Sequence, residues 1–408
     1  MTPLDYFLSR LPLVLMFANG FLVYRILATT RLTDAFVCRS LRRSEGRLHL
    51  LFLQIIVTAA LLSAFIPNAV TVLILLPVLK AVRDGVGSEV RGRGLTTALT
   101  LSAIYGANIG GMGSLIGSPA NLLLIGAMDL MEVPGREGVR FLSWFLWSVP
   151  LVSILCLIAW GVVVIVGAPG IPLHARTGVV PSAVPFNLSR RDRRGGVAFV
   201  LFIGFWTVES ILEDQVAGYR VLAPWVCLIY FGGFVVLSTA RLGARRPLLF
   251  PGDLITGLPV RGLAFAALLL LLIPVFRVIR PDGWAASALD RMIGPETPET
   301  AVVLVTLLSV IFLTELLSNT VVSAAFFPLA VSISAATGIF PLTLLIGVSA
   351  ASTCAFMTPI ATPCNALAFG EMKGTLLRRM LPAGLVLNLV AAVLMALWLP
   401  IAIPRVFG

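Results

Sequence analysis

A chain of 408 residues that is 58% hydrophobic, only 12% charged and of mean hydropathy +1.01 has the composition of a membrane protein. Soluble domains carry about twice that share of charged residues. The formal net charge of +11 does not point to nucleic acid, because the basic residues fall in short segments between apolar runs, as in the loops of a polytopic membrane protein.

In chain order, the apolar runs predict a span over about 11–29, then two shorter runs at 50–66 and 70–82 flanking "FIPNAVT". A long segment at 96–127 is interrupted by "GANIGGMGSLIGSPAN". Spans follow at 143–167, 196–212, 221–240 and 261–276. A second pair of runs, 300–317 and 321–336, flanks "SNT"; a second broken segment, 342–370, contains "TPIATPCN"; a last span covers 381–403. Crossing a bilayer takes roughly 20 apolar residues, so the paired shorter runs read as re-entrant hairpins. The longest polar stretch, Ala168 to Gly196, divides the chain. The expected domains are 1–168, with one scaffold span, a hairpin, a broken helix and a span, and 196–408, with three scaffold spans, a hairpin, a broken helix and the last span. Residues 169–195 are the expected cytoplasmic linker.

Several chemistries are not encoded. Neither Lys80 nor Lys373 lies in a phosphate-binding loop, so no ATP-driven pump is expected. His49 and His174 form no H-E-x-x-H pair, and no two aspartates sit in spans, so no intramembrane enzyme is expected. Cys38, Cys156, Cys227, Cys354 and Cys364 form no C-x-x-C pair and read as small buried hydrophobes. No cleavable signal peptide is expected, since the first apolar run near Leu11 lacks a basic leader and a small-residue cleavage site.

The chain repeats itself. "IPNAVTVLILLP" aligns with "LSNTVVSAAFFP": Asn68 stands nine residues before Pro77, and Asn319 nine before Pro328. A hydroxyl stands five residues before each Asn, at Ser63 and Thr314. Downstream, "IGSPAN" aligns with "IATPCN", ending at Asn121 and Asn365. Four ordered matches indicate an internal duplication.

With hairpins that enter and leave on one side, eight segments cross the membrane. The loops 30–48, 80–98, 169–196, 241–262 and 371–380 then share one side and hold 21 of the 30 Lys and Arg residues, against 8 opposite. The basic side is cytoplasmic, which places both termini outside and gives the two halves opposite orientations. An inverted repeat with broken helices is the architecture of secondary transporters, with the site at the breaks. Exposed helix N-termini suit an anion, freed carbonyls and side-chain oxygens suit a hard cation such as sodium, and Asn serves both through its carbonyl and its NH2.

The same clusters resemble the divalent anion:sodium symporter family, which carries dicarboxylates, citrate or sulfate. "LLSNTVVSAAFFPLA" is similar to its Ser-Asn-Thr hairpin signature, and "STCAFMTPIATPCNALAFG" to its second signature. "IGGMGSLIGSPANLLLIG" and "ANGFLVYRILATTRLTDAF" resemble the matching first-half stretches, so the likeness covers nearly the whole chain. It implies an all-α, inverted-repeat, elevator-type carrier: a homodimeric scaffold in a cell membrane against which a transport domain of both hairpins and both broken helices slides. By that resemblance one sodium ion would meet Ser63, Asn68 and the backbone near Gly117, and the other Thr314, Asn319 and the backbone near Ala361. The small anion would meet Asn68, Ser118, Pro119, Ser318, Asn319, Thr320 and the Thr362-Pro363 turn. Asn121 and Asn365 would support the site, and Glu315 would either tune the sodium site or pair structurally. Two features depart from the pattern. The first tip reads Pro67-Asn68-Ala69 in place of Ser-Asn-Thr, and the first half lacks the two spans that precede the equivalent span in the second, as in an N-terminally shortened member. The alternative within the superfamily is a sodium-independent anion exchanger or an arsenite- or proton-type antiporter.

The charge asymmetry generates a topology test. In a cysteine-free background, cysteine at Arg191 is expected to label only after permeabilisation, and cysteine at Glu213 in intact cells. Exterior labelling at Arg191 reverses the orientation.

Overall fold

The computed structural model describes residues 3–86, 94–172, 175–176, 188–216, 218–241, 246–250, 252–253 and 297–408. Among them lie α1 (Pro3–Thr29), α2 (Leu32–Leu41), α3 (Leu48–Ser63), α4 (Asn68–Asp84), α5 (Thr96–Gly111), α6 (Pro119–Leu130) and α7 (Phe141–Val162). The series continues with α8 (Arg190–Gln215), α9 (Tyr219–Thr239), α10 (Glu299–Thr314), α11 (Asn319–Thr337), α12 (Pro341–Ser352), α13 (Pro363–Glu371) and α14 (Leu377–Phe407). Among the described residues, six helices are long and apolar enough to cross a membrane: α1, α7 with the π turn that follows it, α8, α9, α11 and α14. The expected span 261–276 lies outside the described residues.

Both paired runs form helix–tip–helix hairpins, α3–α4 and α10–α11, and both interrupted segments form two short helices, α5–α6 and α12–α13. The segment 30–48, expected as loop, instead folds largely as α2 and a 3-10 turn at Arg42–Ser44. Asp34 in its first turn and Arg39 in its last complement the helix dipole. Helix α8 begins six residues before the expected span, because Ser189 and Asp192 form a capping box that nucleates it inside the basic stretch. Arg191 there donates to the carbonyls of Pro247 and Leu248. Its exposed neighbour Arg193 is therefore the better labelling position.

Contacts divide the chain into two compact units. The first comprises Met1–Arg39, Arg140–Leu142 and Ala183–Pro259, and so holds α1, α8, α9 and most of α2. Inside it, Arg25 of α1 reaches Asp253, Asp192 accepts from the Arg31 backbone N–H at 3.1 Å, and Arg140 pairs with Glu213 at 3.1 Å.

The second unit, Ser40–Val139, Ser143–Ser182 and Val260–Gly408, holds both hairpins, both broken helices and α14. Its centre is α5, every residue of which is buried. Such a helix must be apolar or small all round, and "TTALTLSAIYGANIGG" is, apart from Asn108. Gly106 and Gly110 face α3 so closely that a Cβ on either would collide with the backbone of Ile56 or Ala60, the small-xxx-small approach used by membrane helices. The hairpins pack crosswise: α4 lies against α13 and α11 against α6, so each hairpin's second arm covers the other half's broken helix.

Candidate functional site

The site is built where helices stop. At the first tip α3 ends at Ser63 and α4 starts at Asn68; at the second α10 ends at Thr314 and α11 starts at Asn319. The matched spacing has a direct structural meaning. Ser63 Oγ donates to Asn68 Oδ1 at 2.5 Å, and Thr314 Oγ1 donates to Asn319 Oδ1 at 2.7 Å. Thr314 also reaches the Ser352 carbonyl at 3.1 Å. Each tip thus gathers a hydroxyl and an amide oxygen, while both asparagines stay half-buried.

The breaks are stitched the same way in each half. Asn121 Nδ2 donates to the carbonyls of Gly111 at 3.3 Å and Ser114 at 2.9 Å. Asn365 Nδ2 donates to those of Ala355 at 2.8 Å and Thr358 at 2.9 Å, the repeat-equivalent positions. Ser114 Oγ donates to the Ala64 carbonyl, and Thr358 Oγ1 to that of Glu315 at 3.1 Å, tying each break to the tip of its own half. Further carbonyls of the first break, at Met112 and Gly113, accept from Trp144 Nε1 at 2.9 Å and Ser148 Oγ at 3.0 Å on α7. This accounting follows from the cost of leaving backbone groups unpaired in a membrane.

Each predicted site residue has a place. Gly117 lies against Gly111 and Ala64: a Cβ on Gly117 would come within 2.7 Å of the Gly111 carbonyl oxygen and 3.2 Å of that of Ala64. A Cβ on Gly111 would stand 3.4 Å from Asn68 Oδ1. Bare glycine therefore keeps a group of oxygens together with Ser63 and Asn68, a donor set that fits a hard cation. In the second half the carbonyl that Thr314 reaches is that of Ser352, while Ala361 is buried one residue before the α13 N-cap. Ser118, Ser318 and Thr362 cap helices, accepting from the N–H groups of Ala120, Val321 and Asn365. Capping uses the oxygen lone pairs and leaves each hydroxyl proton for another acceptor; Thr362 Oγ1 lies 3.1 Å from Cys364 Sγ. Pro119 and Pro363 stand at the first position of α6 and α13, where a missing N–H costs nothing, and both are exposed. Thr320 is half-buried beside Asn319.

Glu315 is a structural anchor by its contacts. Its two carboxylate oxygens accept from the backbone N–H groups of Met357 at 2.7 Å and Thr358 at 2.9 Å, and Asn388 Nδ2 adds a third bond at 2.9 Å. The side chain thus holds the second break against tip and α14 alike.

Sequence reasoning missed Asn108, Ser349 and Asn388. Asn108 joins Asn68 to Asn365, and Ser349 Oγ donates to Asn121 Oδ1 at 2.8 Å. The available signal was polarity alone: an amide inside an apolar membrane segment is costly and needs partners.

Paired hairpins, broken helices and oxygen-rich tips define a class, the multi-pass membrane transporters of inverted-repeat architecture. The family model for "Citrate transporter" matches residues 9–288, and that for "Sodium:sulfate symporter transmembrane region" matches 280–402. The sodium-dependent dicarboxylate transporter SdcS of Staphylococcus saprophyticus is 24% identical over 415 residues, covering 97% of this chain and 77% of the relative. The sodium-dependent high-affinity dicarboxylate transporter 3 of Caenorhabditis elegans is 25% identical over 355 residues, covering 79% and 62%. Among solved structures, the YdaH transporter of Alcanivorax borkumensis matches with TM-score 0.59 at 16% identity, covering 97% of this chain and 88% of that one. MtrF of Neisseria gonorrhoeae matches with TM-score 0.60 at 14% identity, covering 94% and 80%. At those identities the likeness is one of fold. The chain belongs to the divalent anion:sodium symporter family.

Glu315→Gln places an NH2 against the N–H of Met357 or Thr358. Leaving one buried donor unpaired costs about 1–3 kcal/mol, so the purified variant should unfold at lower temperature than the wild type. An unchanged melting temperature would show that the anchor is dispensable.

Proposed function

We propose that the chain carries a small divalent anion of the dicarboxylate class across a cell membrane, coupled to sodium. The observation that carries this reading is the pair of matched tips, Ser63 with Asn68 and Thr314 with Asn319, each offering hydroxyl and amide oxygens beside freed carbonyls. Sodium, as coupling ion, takes those oxygens. The anion takes the donors between the tips: the Asn319 amide, the Thr320 hydroxyl and the N-terminal ends of α6 and α13 with Ser118, Pro119, Thr362 and Pro363. The names of the relatives from Staphylococcus saprophyticus and Caenorhabditis elegans support sodium and a dicarboxylate.

An elevator mechanism completes the reading. Both hairpins and both broken helices fall in one compact unit, while α1, α8 and α9 fall in the other. That division supports a moving transport domain and a static scaffold, the latter held in a homodimer. Within the sequence order, 1–168 and 196–408 act as the two inverted repeats joined by 169–195. Proton antiport through Glu315 is disfavoured, because both of its oxygens are engaged by backbone N–H groups and Asn388.

Uptake of labelled succinate into proteoliposomes, with and without an inward sodium gradient, tests the coupling. Asn319→Ala should abolish uptake, since a cation ligand and an anion donor vanish together. Thr314→Ala should mainly raise the sodium concentration needed for half-maximal rate. Wild-type uptake indifferent to sodium would sink symport and favour exchange.

The two tips should also grip the anion unequally. Thr320 has a hydroxyl where Ala69 has none, and Pro67 lacks the N–H and the hydroxyl of its counterpart Ser318. A hydrogen bond to a charged group contributes roughly 1.5–3 kcal/mol, so Thr320→Ala should weaken succinate affinity roughly tenfold or more. Ala69→Ser should change it far less, and Pro67→Ser with Ala69→Thr should strengthen it. Equal losses at both tips, measured as succinate KM, would remove the asymmetry.

A further inference from the structure

Asn108 sits in the last turn of α5 and is fully buried. Its amide is saturated. Nδ2 donates to the Ala355 carbonyl and to Asn365 Oδ1, each at 3.0 Å, while Oδ1 accepts from Asn68 Nδ2 and from Cys364 Sγ, each at 3.2 Å. Three asparagines therefore form one chain, from the second break through α5 to the first hairpin tip.

The direction of that chain is decided at one end. Asn365 Nδ2 faces two carbonyls, those of Ala355 and Thr358, so its Oδ1 must point at Asn108. Asn108 must then give Nδ2 to Asn365 and to Ala355, and turn Oδ1 to Asn68. Asn68 must give its NH2 to Asn108, which leaves Oδ1 on the Ser63 side. Flipping any one of the three would set acceptor against acceptor, a costly state in a buried network.

The repeat does not reproduce this arrangement. The position equivalent to Asn108 is Ser352, whose hydroxyl bonds within its own helix to Ser349 O at 2.8 Å. Asn319 Nδ2 finds no protein acceptor among the described residues. One tip amide spends one of its two N–H donors on Asn108; the other keeps both.

We propose that Asn108 is a positioning residue that commits Asn68 to the first-half cation site. It takes one of the two Asn68 N–H donors and keeps Asn68 Oδ1 on the Ser63 side, and it ties that site to the closure of the second break. The inference rests on the sodium-coupled reading above. It sharpens that reading in two ways: Asn68 serves the cation more than the anion, and sodium binding in the two halves is cooperative because the Asn68 amide is oriented by Asn365.

The test uses Asn108→Ser, which installs the residue the repeat holds at 352, together with Asn108→Ala. Purified, reconstituted variants are compared with wild type by succinate uptake, against sodium at saturating succinate and against succinate at saturating sodium. Losing one net hydrogen bond corresponds to roughly fivefold in an equilibrium constant. The sodium concentration for half-maximal rate should rise about that much, and the Hill coefficient for sodium should fall toward that of a single site. Succinate KM at saturating sodium should change less than about twofold, by the same measure. A merely structural role would lower the amount of active protein and leave the sodium curve where it is. Should one variant fail to fold, the other carries the measurement. An unchanged sodium curve beside a sodium-dependent wild type overturns the role of Asn108 and leaves symport standing. Parallel losses for sodium and succinate overturn it too, since Asn68 would then serve the anion as much. Wild-type uptake that ignores sodium overturns both readings.

Discussion

Backbone that leaves helical geometry inside a bilayer must find its hydrogen-bond partners within the protein, and nearly everything about this site follows from that. Two hairpin tips and two helix breaks free a set of N–H and C=O groups that the lipid cannot pair. The protein answers each in kind. Asn121 and Asn365 take pairs of carbonyls, Trp144 and Ser148 take two more, and Glu315 takes two N–H groups. What remains uncommitted after this accounting is what an ion or an anion can use.

The duplicated sequence repeats this stitching almost atom for atom, yet the halves are not equivalent. Asn68 is tied into a chain of amides through Asn108, whereas among the described residues the Asn319 side chain is tied only to Thr314. Ser318 caps α11, while Pro67 at the same place in the first tip offers no side-chain cap to α4. Glu315 has Ala64 as its first-half counterpart, so only the second break is pinned by a carboxylate. Duplication supplies two similar frames, and divergence at a few positions assigns them different work.

Crosswise packing couples the frames mechanically. Because α4 lies on α13 and α11 on α6, neither hairpin can move without disturbing the other half's broken helix. Lys80 at the end of α4 and Glu371 at the end of α13 add an ion pair of 2.6 Å at one such contact. That pair is exposed, and exposed pairs contribute little to stability, so the tight α3–α5 contact at Gly106 and Gly110 matters more to the rigidity of the unit.

Much of this was legible in the sequence. Hydropathy alone placed the chain in a membrane, and the spacing of Ser63, Asn68, Thr314, Asn319, Asn121 and Asn365 exposed the duplication before any fold was known. Local rules set the rest of that layer: an Asn five residues after a hydroxyl marks a tip, and Ser-Pro or Thr-Pro marks the start of a helix. Helix α2 escaped because its short amphipathic pattern resembles a polar loop. The roles of Asn108 and Asn388, and the partners of Glu315, escaped for a different reason. Their partners lie far away in the chain, Asn68 being 40 residues and Asn365 257 residues from Asn108, and Glu315 and Asn388 being 73 apart. A sequence states that a buried amide needs partners; only the packing of distant helices decides which carbonyl or amide stands within 3 Å of it, and therefore which oxygen is left to face an ion.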